Sequence, residues 1–421
     1  MTTTPLPTLA TPKVQFFLTP ALKKNLLAFL KLGDRKNHTG LHISRDATHS
    51  RFSLIAKETA LHATFAIPHT VTAEPPTVQA QRHLLHAGRF LLEDSAAFLS
   101  LLRSAEPGHV IALGLTPAAS KAYFSFRLGG QENRIAMDLA NKSIKPTFYA
   151  EIAPTPAQLK NHTVHVNAAW ARPVLLRALD FTSTDATREV LNGVFIESAT
   201  DQPHLMSLVA VNGRFLIKNH FALHPSSLPL QPLADHIQPA SLLRLSLPLL
   251  SACGCTSFRF GLDGPDDTPK SRPLHHLPLP DGCSISLLHA TGIFGNFPNY
   301  RAVIPDITTG TLTLHLTDPA AAAKLCTDIG TVPDTRHIHL IIDGSHARLQ
   351  GTGSAQFPIA TVTGDTSAID PNDPAVSAFD PSLLAPVLTH ATRLHWRSPD
   401  DPIVATAPGL TFVVMPWRIK K

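Results

Sequence analysis

The stretch Val14-Gln15-Phe16-Phe17-Leu18-Thr19-Pro20-Ala21-Leu22-Lys23-Lys24-Asn25-Leu26-Leu27-Ala28-Phe29-Leu30-Lys31-Leu32-Gly33 reads as a strand followed by a capped helix. Val14-Gln15-Phe16-Phe17, β-branched and aromatic around one polar residue, is strand-prone. Thr19 stands where an N-cap belongs, and Pro20 falls at the first helical position, where a missing N–H breaks no helical bond. Leu22, Leu26, Phe29 and Leu30 then recur on one helical face, and Gly33 stops the helix.

The same order recurs along the chain: an alternating strand, a cap and often a proline, a short apolar helix, then two or three strands. A second copy begins at Asp94, with Phe98, Leu101 and Leu102 as its stripe, then Val110 to Leu115 and a hairpin turning at Gly129-Gly130. A third follows Val164-His165-Val166, with Asn167 as cap and Pro173 expected in the opening turn, the place a helix tolerates it. Further helices are expected near Pro239, Pro319 and Pro381, the last two capped by Asp318 and Asp380. Helix starts thus fall at intervals of roughly 60 to 80 residues, which suits six small units in three pairs and not a common solenoid. Thr311 to Leu316 alternates as a half-buried strand does, and His337 to Ile342 returns as His346 to Gln350 through Asp343-Gly344. The expected class is α+β with antiparallel sheets, in three domains spanning residues 1–157, 158–306 and 307–421. The boundaries lie in the proline-rich stretch Pro146 to Pro156 and in the loop after Pro305. The Pro/Asp-rich segments Asp263 to Pro280 and Asp365 to Pro374 read as surface loops.

At 421 residues the chain has length for two to four domains, and its 16 % charged residues and 37 prolines suit short elements between rigid turns. It has neither a run of about 18 apolar residues nor a signal-like N-terminus, so a cytoplasmic location and no membrane partner are expected. Four cysteines, Cys253, Cys255, Cys283 and Cys326, include only a C-x-C pair, which fits neither a disulfide framework nor a zinc site; buried free thiols are expected. A net charge of +5 and a pI near 9.1 permit a nucleic-acid partner without requiring one.

Two further stretches give a more specific reading: Phe297-Pro298-Asn299-Tyr300-Arg301-Ala302-Val303-Ile304-Pro305 and Phe412-Val413-Val414-Met415-Pro416-Trp417-Arg418-Ile419. They resemble the loop ending the second domain and the C-terminal strand of the bacterial DNA sliding clamp, the beta subunit of DNA polymerase III. Arg188 to Phe195, with Leu191-Asn192-Gly193, is similar to a strand of that family. Val209 to Leu216 stands at its Thr-Asp-Gly-His-Arg-Leu hairpin, matching at Gly213 and Leu216 and departing at Val211, Arg214 and Phe215. The four segments occur in family order.

The resemblance implies a three-domain DNA-clamp fold, a ring made by a head-to-tail homodimer, and a non-catalytic processivity factor with no cofactor. Its implied partners are double-stranded DNA held without sequence preference, the DNA polymerase catalytic subunit, a clamp loader and other proteins carrying a clamp-binding motif. A peptide pocket is implied at Leu191, Val211, Gly213, Arg214, Phe215, Leu216, Pro298, Val303, Val413, Met415, Pro416, Trp417, Arg418 and Ile419. Phe215 and Trp417 would make that pocket more aromatic than is usual. Val413, Met415 or Leu216 alone reads more simply as core of a terminal strand; the constellation favours the pocket. Inward-facing cations on or beside helices are expected at Lys23, Lys24, Lys31, Arg35, Lys36, Arg103, Arg172, Arg177, Arg188, Arg244, Lys324 and Arg393, though each alone reads more simply as a solvated surface charge, and it is their recurrence on helices that favours the inward face.

Other chemistry finds little support. His83-x-x-His86, His275-His276 and His337-x-His339 have no carboxylate or thiolate at ligand spacing, so surface or half-buried imidazoles are expected. No hydrolase, phosphate-loop or dinucleotide motif occurs. Asp306 and Asp343 read as turn residues. The alternatives are a divergent second clamp serving a repair or mobile-element polymerase, a non-ring peptide-binding scaffold, and an unrecognised hydrolase or transferase.

Overall fold

The computed structural model describes residues 14–33, 38–46, 48–56, 61–69, 88–92, 95–115, 121–128, 131–138, 154–198, 205–223, 235–264, 271–289, 292–293, 295–332, 337–351, 356–367, 369 and 373–417. Compactness divides the chain into two units: residues 1–172, 223–234 and 241–292, and residues 173–222, 235–240 and 293–421.

In the first unit, Val14–Phe17, Val110–Leu115, Lys121–Leu128 and Gln131–Asp138 form a four-stranded sheet. An eight-stranded sheet runs Gly88–Leu92, His38–Arg45, His49–Ala56, Leu61–Pro68, Ser284–His289, Pro273–Pro278, Ser257–Leu262, Thr163–Asn167. Its centre is a junction in which Leu61–Pro68 pairs with Ser284–His289, joining strands distant in sequence. The core is aromatic: Phe52 lies between Phe16 and Phe98, and Phe98 packs edge-on against Phe124.

The second unit is organised by a twelve-stranded sheet. Its order is His236–Pro239, Gly193–Ser198, Leu205–Val211, Phe215–Ala222, Leu410–Val414, Ile403–Ala407, Arg393–Trp396, Leu312–Leu316, Gln356–Thr363, His346–Gln350, Ile338–Ile342, Ala375–Phe379. Here too a junction, Phe215–Ala222 with Leu410–Val414, splices distant segments edge to edge. Every strand pairing given for the two units is antiparallel, and the α+β class is as expected.

The helices start where the caps and prolines indicate: Pro20–Leu30, Ser95–Ser104, Ala168–Leu179, Ala240–Cys253, Pro319–Gly330 and Pro381–His390. Thr19 accepts from the Leu22 N–H, Asn167 from Ala169, Asp318 from Ala321 and Asp380 from Ser382. Asp94 and Gly129-Gly130 lie outside the described residues, as do His83 and His86, although strands Lys121–Leu128 and Gln131–Asp138 pair as the hairpin requires.

Five points depart from expectation. Pro173 sits inside Ala168–Leu179 and not in its opening turn, so the Ala169 carbonyl loses its helical donor. A short helix, Pro156–His162, was not foreseen; Thr155 and Gln158 close a full capping box at its start. Arg188 to Leu191 belongs to the 3₁₀ segment Ala186–Leu191, and the strand begins only at Gly193. The stretch read as a loop from Asp263 to Pro280 contains the central strand Pro273–Pro278, whose prolines stand at its two ends. His275, expected at or near the surface, is fully buried there, with its Nδ1 2.8 Å from Ser246 Oγ.

Candidate partner-binding groove

The hairpin at the centre of the second unit turns through Asn212-Gly213-Arg214. Gly213 has φ +92°, a conformation glycine adopts freely, and Asn212 Oδ1 accepts from the Arg214 N–H at 3.1 Å. A Cβ on Gly213 would come 3.0 Å from the Arg188 guanidinium, so Arg188 lies over this turn.

Alternation then sorts the side chains. Leu216 pairs with Val413 and Val413 with Val404, and these three join Val209 and Tyr300 in one buried cluster, with Phe195, Val211, Phe297, Ile304 and Ile307 packed against it. Phe215 has the opposite parity. Its ring stacks on Phe181 with centroids 3.8 Å apart, and Phe412 lies against both. Phe215 is therefore buried in the other face of the sheet and adds no aromatic wall to the groove, a correction to the expected pocket.

The loop around Tyr300 is held down by a polar network that the sequence did not announce. Tyr300 is buried, and its hydroxyl donates to Glu197, itself only 4 % exposed. Arg301 donates to the other Glu197 oxygen at 2.7 Å and lies over the Tyr300 ring. Burial and the neighbouring Glu197 raise the Tyr300 pKa above its ordinary value, so its proton stays in place. Asp235 is also pushed up, by burial first and then by the Glu197 charge. Phe297 stacks on Phe195 at 4.7 Å, nearly parallel.

After strand Leu410–Val414 the chain stays tethered: the Met415 N–H donates to Arg214 O at 2.9 Å, and the Trp417 N–H to Ala378 O at 2.7 Å. The Arg214 guanidinium stands 4.9 Å from the Trp417 ring. Val303, Met415 and Trp417 are the large apolar residues left exposed on these segments, at 47 %, 40 % and 36 %. Of the expected pocket, the structure places Val211, Leu216 and Val413 at the apolar cluster and stacks Arg214 on Trp417. Pro298 lies on the tethered loop, Leu191 is buried at the end of its 3₁₀ turn, and Arg418 and Ile419 fall outside the described residues. The cluster itself is buried, and the segments that form it and follow it expose Val303, Met415 and Trp417; exposed apolar side chains of this kind suit contact with a peptide's apolar side chains.

The candidate cations are not alike. Lys23 donates to the carbonyls of Arg103 and Ala105, capping the end of Ser95–Ser104. Arg172 reaches Leu247 O at 3.3 Å, Arg188 is 3.8 Å from Asp185, and Lys324 pairs with Asp328 at 2.6 Å. Burial lowers the Arg177 pKa. Lys24, Lys31, Arg103 and Arg244 are exposed on or beside helices. Arg393, expected beside a helix, is instead the first residue of strand Arg393–Trp396, exposed between Thr406 and His315. Arg35 and Lys36 lie outside the described residues.

All four cysteines are buried thiols, and burial pushes Cys253 up to about 11 and Cys326 up to about 12. Among the described residues no cluster of three metal-ligating side chains occurs, and no helix is long and apolar enough to cross a membrane.

Against known proteins, no protein-family model matches the chain, and no curated protein matches it in sequence. Solved structures do match in fold. The polymerase III beta subunit of Caulobacter crescentus superposes with a TM-score of 0.69 at 15 % identity, covering 96 % of this chain and 99 % of its own. A DNA polymerase sliding clamp from Pseudomonas aeruginosa gives 0.68 at 13 % identity, over 96 % and 100 %. The polymerase III beta subunit of Thermotoga maritima gives 0.65 at 15 % identity, over 97 % and 99 %. This chain has the sliding-clamp fold.

Proposed function

We propose that this protein is a divergent DNA sliding clamp, a processivity factor that encircles duplex DNA and tethers a polymerase through a peptide held in the groove. The observation that carries the reading is the likeness of fold over nearly the whole of this chain and of each clamp. A likeness confined to one domain would have left the function open. The groove adds to it, because the segments that resemble the family's pocket contribute to one apolar cluster despite being far apart in sequence.

In this reading the chain divides into three domains, residues 1–157, 158–306 and 307–421, and two copies close head to tail. Among the described residues strand Gln131–Asp138 ends its four-stranded sheet with a neighbour on one side only, and a second copy offers a way to continue it. The ring holds DNA topologically, so the cations need only supply weak, sliding contact with phosphates. Lys24, Lys31, Arg103 and Arg244 suit this best, with Arg35, Lys36, Arg172, Arg177, Arg188 and Lys324 in support; Lys23 and Arg393 have other surroundings. The clamp breaks no covalent bond. It raises the effective concentration of polymerase at the primer end, and an ATP-driven loader in the cytoplasm opens it.

The test is the mass in solution by light scattering, followed by retention on circular and linearised DNA after loading. A species of twice 45.4 kDa that stays on circles and leaves linear ends is the expected result. A monomer, or equal salt-sensitive release from both DNAs, refutes the ring and favours a peptide-binding scaffold.

A further inference from the structure

The face of the twelve-stranded sheet that carries the apolar cluster continues beyond it as a cationic row. Strand registers place Lys218 opposite Thr411, then Thr406, Arg393, His315, Thr361 and finally His346, one residue from each of seven successive strands. Each is exposed or half-buried, whereas the alternate positions Ile217, Phe412, Ala405, Leu394 and Leu314 are buried, so the row shares one face. The adjacent row runs Leu216, Val413, Val404, His395, Thr313, Thr363, beginning in the buried apolar cluster and ending polar.

Neither row contains an aspartate or a glutamate. Glu197, the one carboxylate within the strands of this sheet, is engaged by Tyr300 and Arg301, and Asp343, in the turn before His346, pairs with Arg348 at 2.6 Å. The threonines hold the imidazoles in position. His395 lies 3.3 Å from Thr313 Oγ1 and 3.1 Å from Thr406 Oγ1, and His315 lies 3.1 Å from Thr363 Oγ1. Lys218 sits 5.6 Å above the Tyr300 ring, at the border of the cluster.

We propose that this row binds an acidic extension of the partner peptide, adjoining its apolar anchors; the inference rests on the groove reading above. The geometry supports one extended chain. Six strand-to-strand steps separate Phe215–Ala222 from His346–Gln350; at ~4.8 Å each the row is ~29 Å long, which an extended peptide spans in about nine residues. Arg393 lies about half-way. A single strand of nucleic acid would also answer the charge, but the row runs up to a buried apolar cluster whose segments expose Val303, Met415 and Trp417, which favours a peptide carrying both kinds of side chain.

The probes are fluorescently labelled peptides carrying a glutamine and a few apolar anchors, extended at either end by a run of glutamates or by the same number of glutamines. Anisotropy is read on the full chain and on an Arg393→Gln/His315→Gln variant, both exposed or half-buried positions whose replacement spares the core. The glutamate extension at one end is expected to tighten binding roughly fivefold to tenfold at low salt, the sum of two or three exposed ion pairs. The gain should fade as salt rises and fall by at least half in the double variant, which retains Lys218 and keeps its affinity for the glutamine form. Equal affinity for the two extensions, or a gain undiminished in the double variant, overturns the proposal while leaving the groove intact. Failure of the glutamine-extended peptide to bind at all overturns the groove reading and this inference with it. Displacement of the acidic peptide by an equal concentration of oligothymidylate shows a general polyanion surface and also overturns it.

Discussion

Replacing Tyr300 by Phe removes one oxygen and nothing else from a fully buried ring, so it isolates the bond to Glu197. That bond involves a charged acceptor with 4 % exposure, and such bonds contribute about 1.5–3 kcal/mol net. The remaining tie on Glu197 comes from Arg301, whose side chain is 64 % exposed and whose ion pair is worth at most about 1 kcal/mol. It cannot compensate for a buried carboxylate oxygen that has lost its donor. The expected loss is therefore about 2 kcal/mol, or ~4–8 °C in the melting temperature of a unit this size. Urea denaturation gives the global figure, and amide hydrogen exchange locates it. Amides from Phe297 to Ile304 should exchange faster, and strand Ile338–Ile342 should not. Unchanged protection in the loop, with a stability loss below ~0.5 kcal/mol, would show that the aromatic packing of Phe297 on Phe195 holds the loop without help.

Further expectations concern the two units separately. His276 is held at about 4, below the ordinary 6.5, by burial first and by Arg259 second. The unfolded chain therefore takes the proton first, so stability is complete above pH ~6.5 and falls toward pH 4 by up to about 3 kcal/mol, a decline that His276→Gln should flatten in urea titrations. Gly193→Ala places a Cβ 2.5 Å from Ile237 Cγ2 and 2.6 Å from Gln238 O; a loss of about 1–3 kcal/mol or more is expected from the urea midpoint. Lys23→Gln should cost about 1 kcal/mol by freeing the Arg103 and Ala105 carbonyls. Lys24→Gln should leave stability within ~0.5 kcal/mol and shorten retention on circular DNA at raised salt.

The helix starts were legible because caps and prolines act within one turn: Thr19, Asn167, Asp318 and Asp380 each bond the backbone two or three residues on. Where composition and position disagree, the reading failed. Pro273 and Pro278 looked like loop markers, yet they bracket a strand whose interior Leu-His-His-Leu carries no strong alternation. The groove was legible as four short segments but not in its parity. Phe215 and Leu216 are neighbours in sequence, and only the register against Phe412, Val413 and Val414 decides which of them faces the cluster. Glu197 and Tyr300 are 103 residues apart, so no local pattern could pair them. Arg393 looked like a helix-side cation because it follows Pro381–His390 by three residues; the chain turns into a strand first.

The junction between Phe215–Ala222 and Leu410–Val414 is a splice of five residue pairs, from Phe215 with Val414 to Asn219 with Leu410. Its hydrogen bonds lie across the strands, so a pull along them loads every bond together, whereas peeling loads one at a time. The second unit thus behaves as a stiff plate along this line. A cut in the backbone between Ala222 and Leu410 would leave the two pieces stitched together along this line.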